Sequence, residues 1–395
     1  MKSLLNLNFP RWALLNFIVL SIWGVLLRYL QLFDLPFNYQ YLLHAHSHFA
    51  FAGWMFFAIA FLMARQMAGG ELTAGYKKVL LLALVSGYGM LISFSLQGYH
   101  AVSICFSTLF VLVTYRFTYL VLCKRAFNTQ LNPIAAKLFR ASVVCLCVSS
   151  LGPFALGPLA ALGLKQSPYY TDAVYWYLHF QMNGFMLLGT LGLLASGSSA
   201  FRLRHPGWLN VFIGATLPLY ALFTLWGRPG TIFWLLAFAG SLLSLVSWLV
   251  LVVQLWHHHR GLYFLEKAAL LALALKCLFQ VLICLPLIGH WAFLNRNLVI
   301  GYIHLLTLGI IMPLLIAQLL RTGFIKMGRT VRVGNYVYIL LTVVYLSLLF
   351  LQPLLALFAV NIPAYQHLLF LLCLSFLPVA VLWLWKIKKA HQAYL

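Results

Sequence analysis

Imidazole is the chemistry this chain invests in. It carries 13 histidines but only four acidic residues, Asp34, Glu71, Asp172 and Glu266. Without carboxylates, a set of imidazoles suits copper, iron, zinc or heme iron rather than magnesium or calcium. One group is packed into Leu43-His44-Ala45-His46-Ser47-His48. His44 and His48 are four apart and share a helix face, which could offer a two-His chelate. His46 points roughly the other way. Two further histidines repeat the pattern that starts at His48. The segments His48-Phe-Ala-Phe-Ala-Gly53, His179-Phe-Gln-Met-Asn-Gly184 and His304-Leu-Leu-Thr-Leu-Gly309 all read H-x-x-x-x-G. On a helix that glycine lies about 140° around and about 7.5 Å further along than the histidine. Such a position predicts a close helix contact rather than a pocket floor. The candidate metal ligands are therefore His44, His48, His179 and His304.

A bis-His heme needs two imidazoles at one depth on facing helices and an apolar slot for the macrocycle. Phe49, Phe51, Trp54, Phe180 and Phe185 could line such a slot. Arg228 and Arg296 are the candidate partners of the propionates. His100, His290 and His367 fall near loop edges and read as structural. The run His257-His258-His259-Arg260 reads as a solvated turn.

The elements that position these groups follow from composition. Hydrophobic residues make up 64% of the chain and charged residues 8%. A soluble protein cannot hide that much apolar surface. The apolar runs are long and lack period-two alternation, so they predict helices rather than a barrel. Twelve spans are expected, at 12–33, 43–65, 77–98, 101–123, 136–163, 173–199, 207–226, 231–256, 264–287, 297–320, 334–353 and 364–386. They form a single membrane domain of all-α fold, with a tight turn at Gln97-Gly98. The first apolar run is too long for a cleavable signal peptide.

Orientation follows from Lys and Arg. With both termini cytoplasmic, 20 of the 26 basic residues fall on the cytoplasmic side, as the positive-inside rule demands. The expected location is a bacterial-type inner (plasma) membrane. The formal charge of +22 is spread over many cytoplasmic segments. It faces anionic lipid and forms no single nucleic-acid-binding face. In this orientation His48, His179 and His304 all lie about one and a half to two turns below the outer end of their helices. They sit on spans two, six and ten, four helices apart, which predicts a threefold pseudo-repeat of four helices.

Several function classes are disfavoured. Proton-coupled transporters keep carboxylates in mid-membrane, and all four acidic residues fall in loops or at span ends. The cysteines lie mostly within spans and read as small apolar residues.

This combination resembles subunit I of the heme-copper oxidase and nitric oxide reductase superfamily. The resemblance rests on twelve helices, both termini inside, the four-helix interval, and His on helices two, six and ten near the outer side. It implies that His46 or His48 is an axial ligand of a low-spin heme, that His304 ligates heme, and that His179 ligates an active-site copper or iron. It also implies partner membrane subunits or small cytochromes. The chain departs from the family where span six reads His179-Phe-Gln-Met-Asn, without His-Pro-Glu or the reductase glutamate, and where span seven lacks an adjacent His pair. The second metal site is thus incomplete, and electron transfer, sensing or assembly is expected rather than full oxygen reduction. NnrS-type membrane proteins, twelve-helix proteins linked to nitric oxide response, are a second resemblance. The alternative is a twelve-helix transporter or lipid-handling protein without cofactor, using polar residues such as Gln181, Asn183 and Arg116.

Overall fold

The structure is a computed structural model that describes residues 8–123, 131–198, 203–256 and 259–387. His257, His258 and His391, together with Lys2, Lys124, Arg125, Arg202, Lys388 and Lys389, lie outside the described residues. The chain is an all-α polytopic membrane protein. Among the described residues the helices are α1 (Phe9–Tyr29), α2 (Tyr39–Met67), α3 (Ala74–Gln97), α4 (Ala101–Leu122), α5 (Pro133–Ala161) and α6 (Pro168–Gly197). They continue with α7 (Gly207–Gly227), α8 (Thr231–Trp256), α9 (Phe264–Ile283), α10 (Pro286–Leu294), α11 (Arg296–Arg321), α12 (Arg329–Ala356) and α13 (Tyr365–Trp385). Eleven spans are each long and apolar enough to cross a membrane, and the bent pair α9–α10, a broken span or a re-entrant loop, reaches that length only when taken together.

The apolar run expected at 264–287 is a single helix only as far as Ile283. The chain turns by 109° into α10. Pro286 opens α10 at its first position, where the missing N–H costs nothing. Gly289 lets the turn close tightly, since a Cβ there would strike the Ile283 carbonyl oxygen. Other helix starts are written in side chains: Asn38 Oδ1 accepts the amides of Gln40 and Tyr41 at 2.9 and 3.2 Å, and Asn132 Oδ1 accepts that of Ile134 at 2.9 Å. Both satisfy amides that the first helical turn leaves open. Gln97-Gly98 forms the expected tight turn, and Gly98 reverses the chain in the left-handed region at φ 63°.

The chain divides into two compact units. One comprises Met1–Thr129 with Leu315–Leu395, the other Gln130–Leu314. Within the first, α1 packs on α13 and α2 on α3, with Phe17 between Trp54 and Trp383 at ring-centroid distances of 5.0 and 6.5 Å. Trp383 Nε1 donates to Asn335 Oδ1 at 3.0 Å. Within the second, α5 packs on α6, α7 on α8, and α9 on α11. Trp234 Nε1 donates to the Cys284 carbonyl at 2.6 Å. These bonds keep indole N–H groups satisfied where no water reaches them.

The spans are not equally enclosed. In the most apolar window of α2, α6 and α11, 78%, 94% and 67% of residues are buried, against 28% to 56% for the other single-helix spans. The remaining helices turn side chains such as Leu96, Ile232 and Leu340 outward, as a lipid-facing surface requires.

Candidate functional site

The three enclosed helices share one local distortion. Each begins as an α-helix and then widens into a seven-residue π-helical segment: Ala50–Phe56 in α2, Phe180–Met186 in α6 and Leu305–Ile311 in α11. The histidine of the H-x-x-x-x-G pattern stands at the junction every time. His179 and His304 are the last α-helical residues, and His48 is the last but one. Gly53, Gly184 and Gly309 lie inside the π segments. Such segments mark functional sites more often than ordinary helix does.

Gly53 and Gly184 are close contacts. A Cβ on Gly87 of α3 would lie 2.8 Å from Gly53 Cα, and a Cβ on Gly184 would strike Cys145 of α5. In α2 the distorted backbone has a side-chain partner. Asn16, fully buried in α1, donates from Nδ2 to the Gly53 carbonyl. Its Oδ1 accepts the Tyr88 hydroxyl at 2.9 Å. Burial also changes at these junctions. Beyond them the α2, α6 and α11 side chains are almost all buried, whereas His44, His46, His48 and His304 in the N-terminal halves are half-buried.

In the first unit His44 and His48 face α3 and the turn that follows it. The His48 ring stacks on Phe94 at 4.2 Å with 4° between planes. His48 Nε2 lies 2.8 Å from the Tyr99 hydroxyl. His44 meets Tyr99 edge-on at 4.7 Å. Two imidazoles and a phenol thus share one face, delivered by α2 and the Gly98 turn. His46 takes the opposite face, where its Cε1 would be 3.4 Å from a Cβ on Gly24 of α1.

In the second unit His179 is buried, and both its ring nitrogens are engaged. Nε2 donates to the Thr216 carbonyl at 2.8 Å. Thr216 caps the α-helical part of α7, just before Pro218 opens a 3₁₀ segment. The histidine therefore serves a carbonyl at a helix break. Nδ1 receives Asn183 Nδ2 at 3.4 Å. Gln280 Nε2 donates to the Tyr302 hydroxyl at 2.8 Å. Nearby on α9 stands Lys276, 1% exposed. His304 differs from His179. Its Nδ1 donates to the Ile300 carbonyl at 2.8 Å, which fixes the tautomer and makes Nε2 the basic nitrogen. Metal-ligating histidines are held in this way.

The expected propionate partners are placed separately. Arg228 is exposed, at φ 52°, and its Nη2 lies 3.0 Å from His290 Nε2 on α10. Arg296 opens α11, two turns before His304. Among the described residues no three His, Cys, Asp or Glu side chains gather to hold a metal ion. The donor set is one of single and paired imidazoles, which matches axial ligation of heme iron, or a His-His-Tyr set on copper or iron. His179 could join it only by giving up a hydrogen bond.

Tyr99, Phe94 and Asn16 were not among the sequence candidates. Tyr99 is found by noting that the three-residue connection Gly98–His100 after α3 must bring its tip to the level of His48, and Phe94 lies one turn earlier on α3. No protein-family model matches the chain, and no curated protein matches it.

Proposed function

We propose that the chain binds heme, or a copper or iron ion, through the half-buried imidazoles of α2 and α11. Its role would be electron transfer, sensing or cofactor assembly in a bacterial-type inner membrane. In this reading both termini are cytoplasmic and the N-terminal halves of α2, α6 and α11 point outward. The carrying observation is the repeated placement of His48, His179 and His304 at the entry to a π segment on the three most enclosed helices. Support also comes from the His304 tautomer and from the shared face of His44, His48 and Tyr99. Within the second unit His304 would be a heme-iron ligand; within the first, His46 or His48 would be one, and His44, His48 and Tyr99 would hold a metal ion. A bound heme or metal supplies one-electron redox chemistry, tuned by its ligands and their hydrogen bonds. The residues of this chain orient the imidazoles and exclude water below them, where each helix becomes fully buried.

The test is an absorption spectrum with metal analysis on protein purified from heme-replete cells. A Soret band, or close to one copper or iron per chain, is expected. Either signal should fall in His304→Ala or in the His46→Ala/His48→Ala pair. A colourless, metal-free preparation sinks the proposal.

A further inference from the structure

An open groove of about 520 Å³ lies at the start of α7, lined by Arg204, His205, Pro206, Gly207, Trp208 and Val211. The connection that forms its rim is tied down. The His205 amide donates to Gln254 Oε1 of α8 at 2.8 Å, and α7 packs along α8. A further basic side chain arrives from α5, where Lys137 Nζ donates to Asn210 Oδ1 at 2.7 Å. Asn210 is next in the chain to Val211 of the groove.

No carboxylate balances this charge. The second unit contains two acidic residues, Asp172 and Glu266. Asp172 accepts Trp226 Nε1 at 3.0 Å, at the far end of α7. Glu266 is buried and accepts the Tyr263 amide at 2.7 Å. Among the described residues Arg204 has no hydrogen-bond or ion-pair partner. A guanidinium lining a groove without a carboxylate presents its fork of donors to an incoming phosphate.

The other end of the groove is apolar. Gly207, Val211 and Gly214 are four and three residues apart, so they share one face of α7. A Cβ on Gly207 or on Gly214 would meet nothing within 4 Å. The groove therefore continues as a shallow track along a helix that is long and apolar enough to cross the membrane. Trp208 stands half-buried between the basic end and this track, as indoles do at headgroup level. A free phosphate would use only the basic end. A lipid uses both.

We infer that this groove seats one anionic glycerophospholipid, with its phosphate on Arg204 and His205 and an acyl chain over Val211 and Gly214. The diffuse attraction of basic loops to anionic lipid has no such shape and does not saturate. The site is separate from the imidazoles proposed as cofactor ligands, and it stands whether or not heme binds.

The experiment uses the full chain, delipidated in neutral detergent, with bound lipid counted by native mass spectrometry. Phosphatidylglycerol is titrated against phosphatidylcholine with the same acyl chains. One phosphatidylglycerol is expected to bind each chain ahead of any phosphatidylcholine. Arg204→Gln should weaken that binding by about fivefold, the worth of one basic residue at a lipid surface. Gly214→Phe fills the track from an exposed position and should weaken it as well. Arg329→Gln removes an equal charge from the first unit and should leave it unchanged. Equal binding of the two lipids overturns the inference, as does an equal loss in Arg329→Gln. Displacement of the lipid by inorganic phosphate, with Gly214→Phe binding normally, would make this a free-phosphate site and overturn it too.

Discussion

His179 Nε2 donates to the Thr216 carbonyl at 2.8 Å, joining α6 to the break in α7. This bond separates His179 from the other histidines of the repeat. It shows an imidazole occupied with the backbone at the level where its counterparts are half-buried. His179→Ala should therefore destabilise the protein by about 1–3 kcal/mol, the cost of a buried carbonyl left unpaired. Unfolding in mixed micelles, followed by tryptophan fluorescence, measures it. Cofactor content per folded chain should not change. A variant of normal stability that has lost bound heme or metal would reverse this assignment.

His304 should behave in the opposite way. Its Nδ1 bond to Ile300 is local to one helix turn, so the loss of that bond in His304→Ala stays within the turn. The expected outcome is loss of the bound heme or metal signal with little change in stability. Addition of free imidazole should restore part of the spectrum by filling the vacated position. A spectrum indifferent to both the substitution and imidazole would remove His304 from the ligand set.

Asn16 is expected to be the most sensitive polar residue of α1. Asn16→Leu strands the Gly53 carbonyl and the Tyr88 hydroxyl together. Each orphan costs about 1–3 kcal/mol. Tyr88→Phe removes only one bond and should cost about 0.5–1.5 kcal/mol. Equal stability losses in the two variants would show that the Gly53 carbonyl does not depend on Asn16.

The Gly184–Cys145 contact gives a test of packing alone. Gly184→Ala places a methyl group against Cys145 and should destabilise by about 1–3 kcal/mol through overpacking. Pairing it with Cys145→Gly should recover most of that loss. Losses that simply add would mean that α5 and α6 do not meet there.

Orientation is checked by chemistry on intact cells. A membrane-impermeant maleimide should label Lys165→Cys and leave Glu71→Cys unlabelled until the membrane is opened. The reverse pattern would invert the topology and place the half-buried histidines at the cytoplasmic face.

The membrane fold was legible because apolar run length is a direct read of bilayer thickness. The run at 231–256 became α8 with the same limits, and Gln97-Gly98 became a turn because so few residues separate two long runs. The bend at Pro286 was not legible from hydropathy, since α10 is as apolar as the helix before it. The Pro286 and Gly289 pair was the available signal. The H-x-x-x-x-G spacing fell on the three helices that carry π segments. What it could not reveal was which imidazoles are satisfied within the protein. The fate of His179 is decided by Pro218, 39 residues further on, through a helix break that leaves Thr216 open.

The π segments have a consequence for how these helices can change. A π turn holds in effect one residue more than the α-helix it replaces, about 100° of rotation. The faces before and after the segment are therefore set to different phases. The lower half of α2 can keep its packing against Gly87 while the upper half aims His44 and His48 at Tyr99. Each of the three helices is thus a shaft with an offset coupling, and the bearing of the imidazoles is adjustable without disturbing the part that is locked in place.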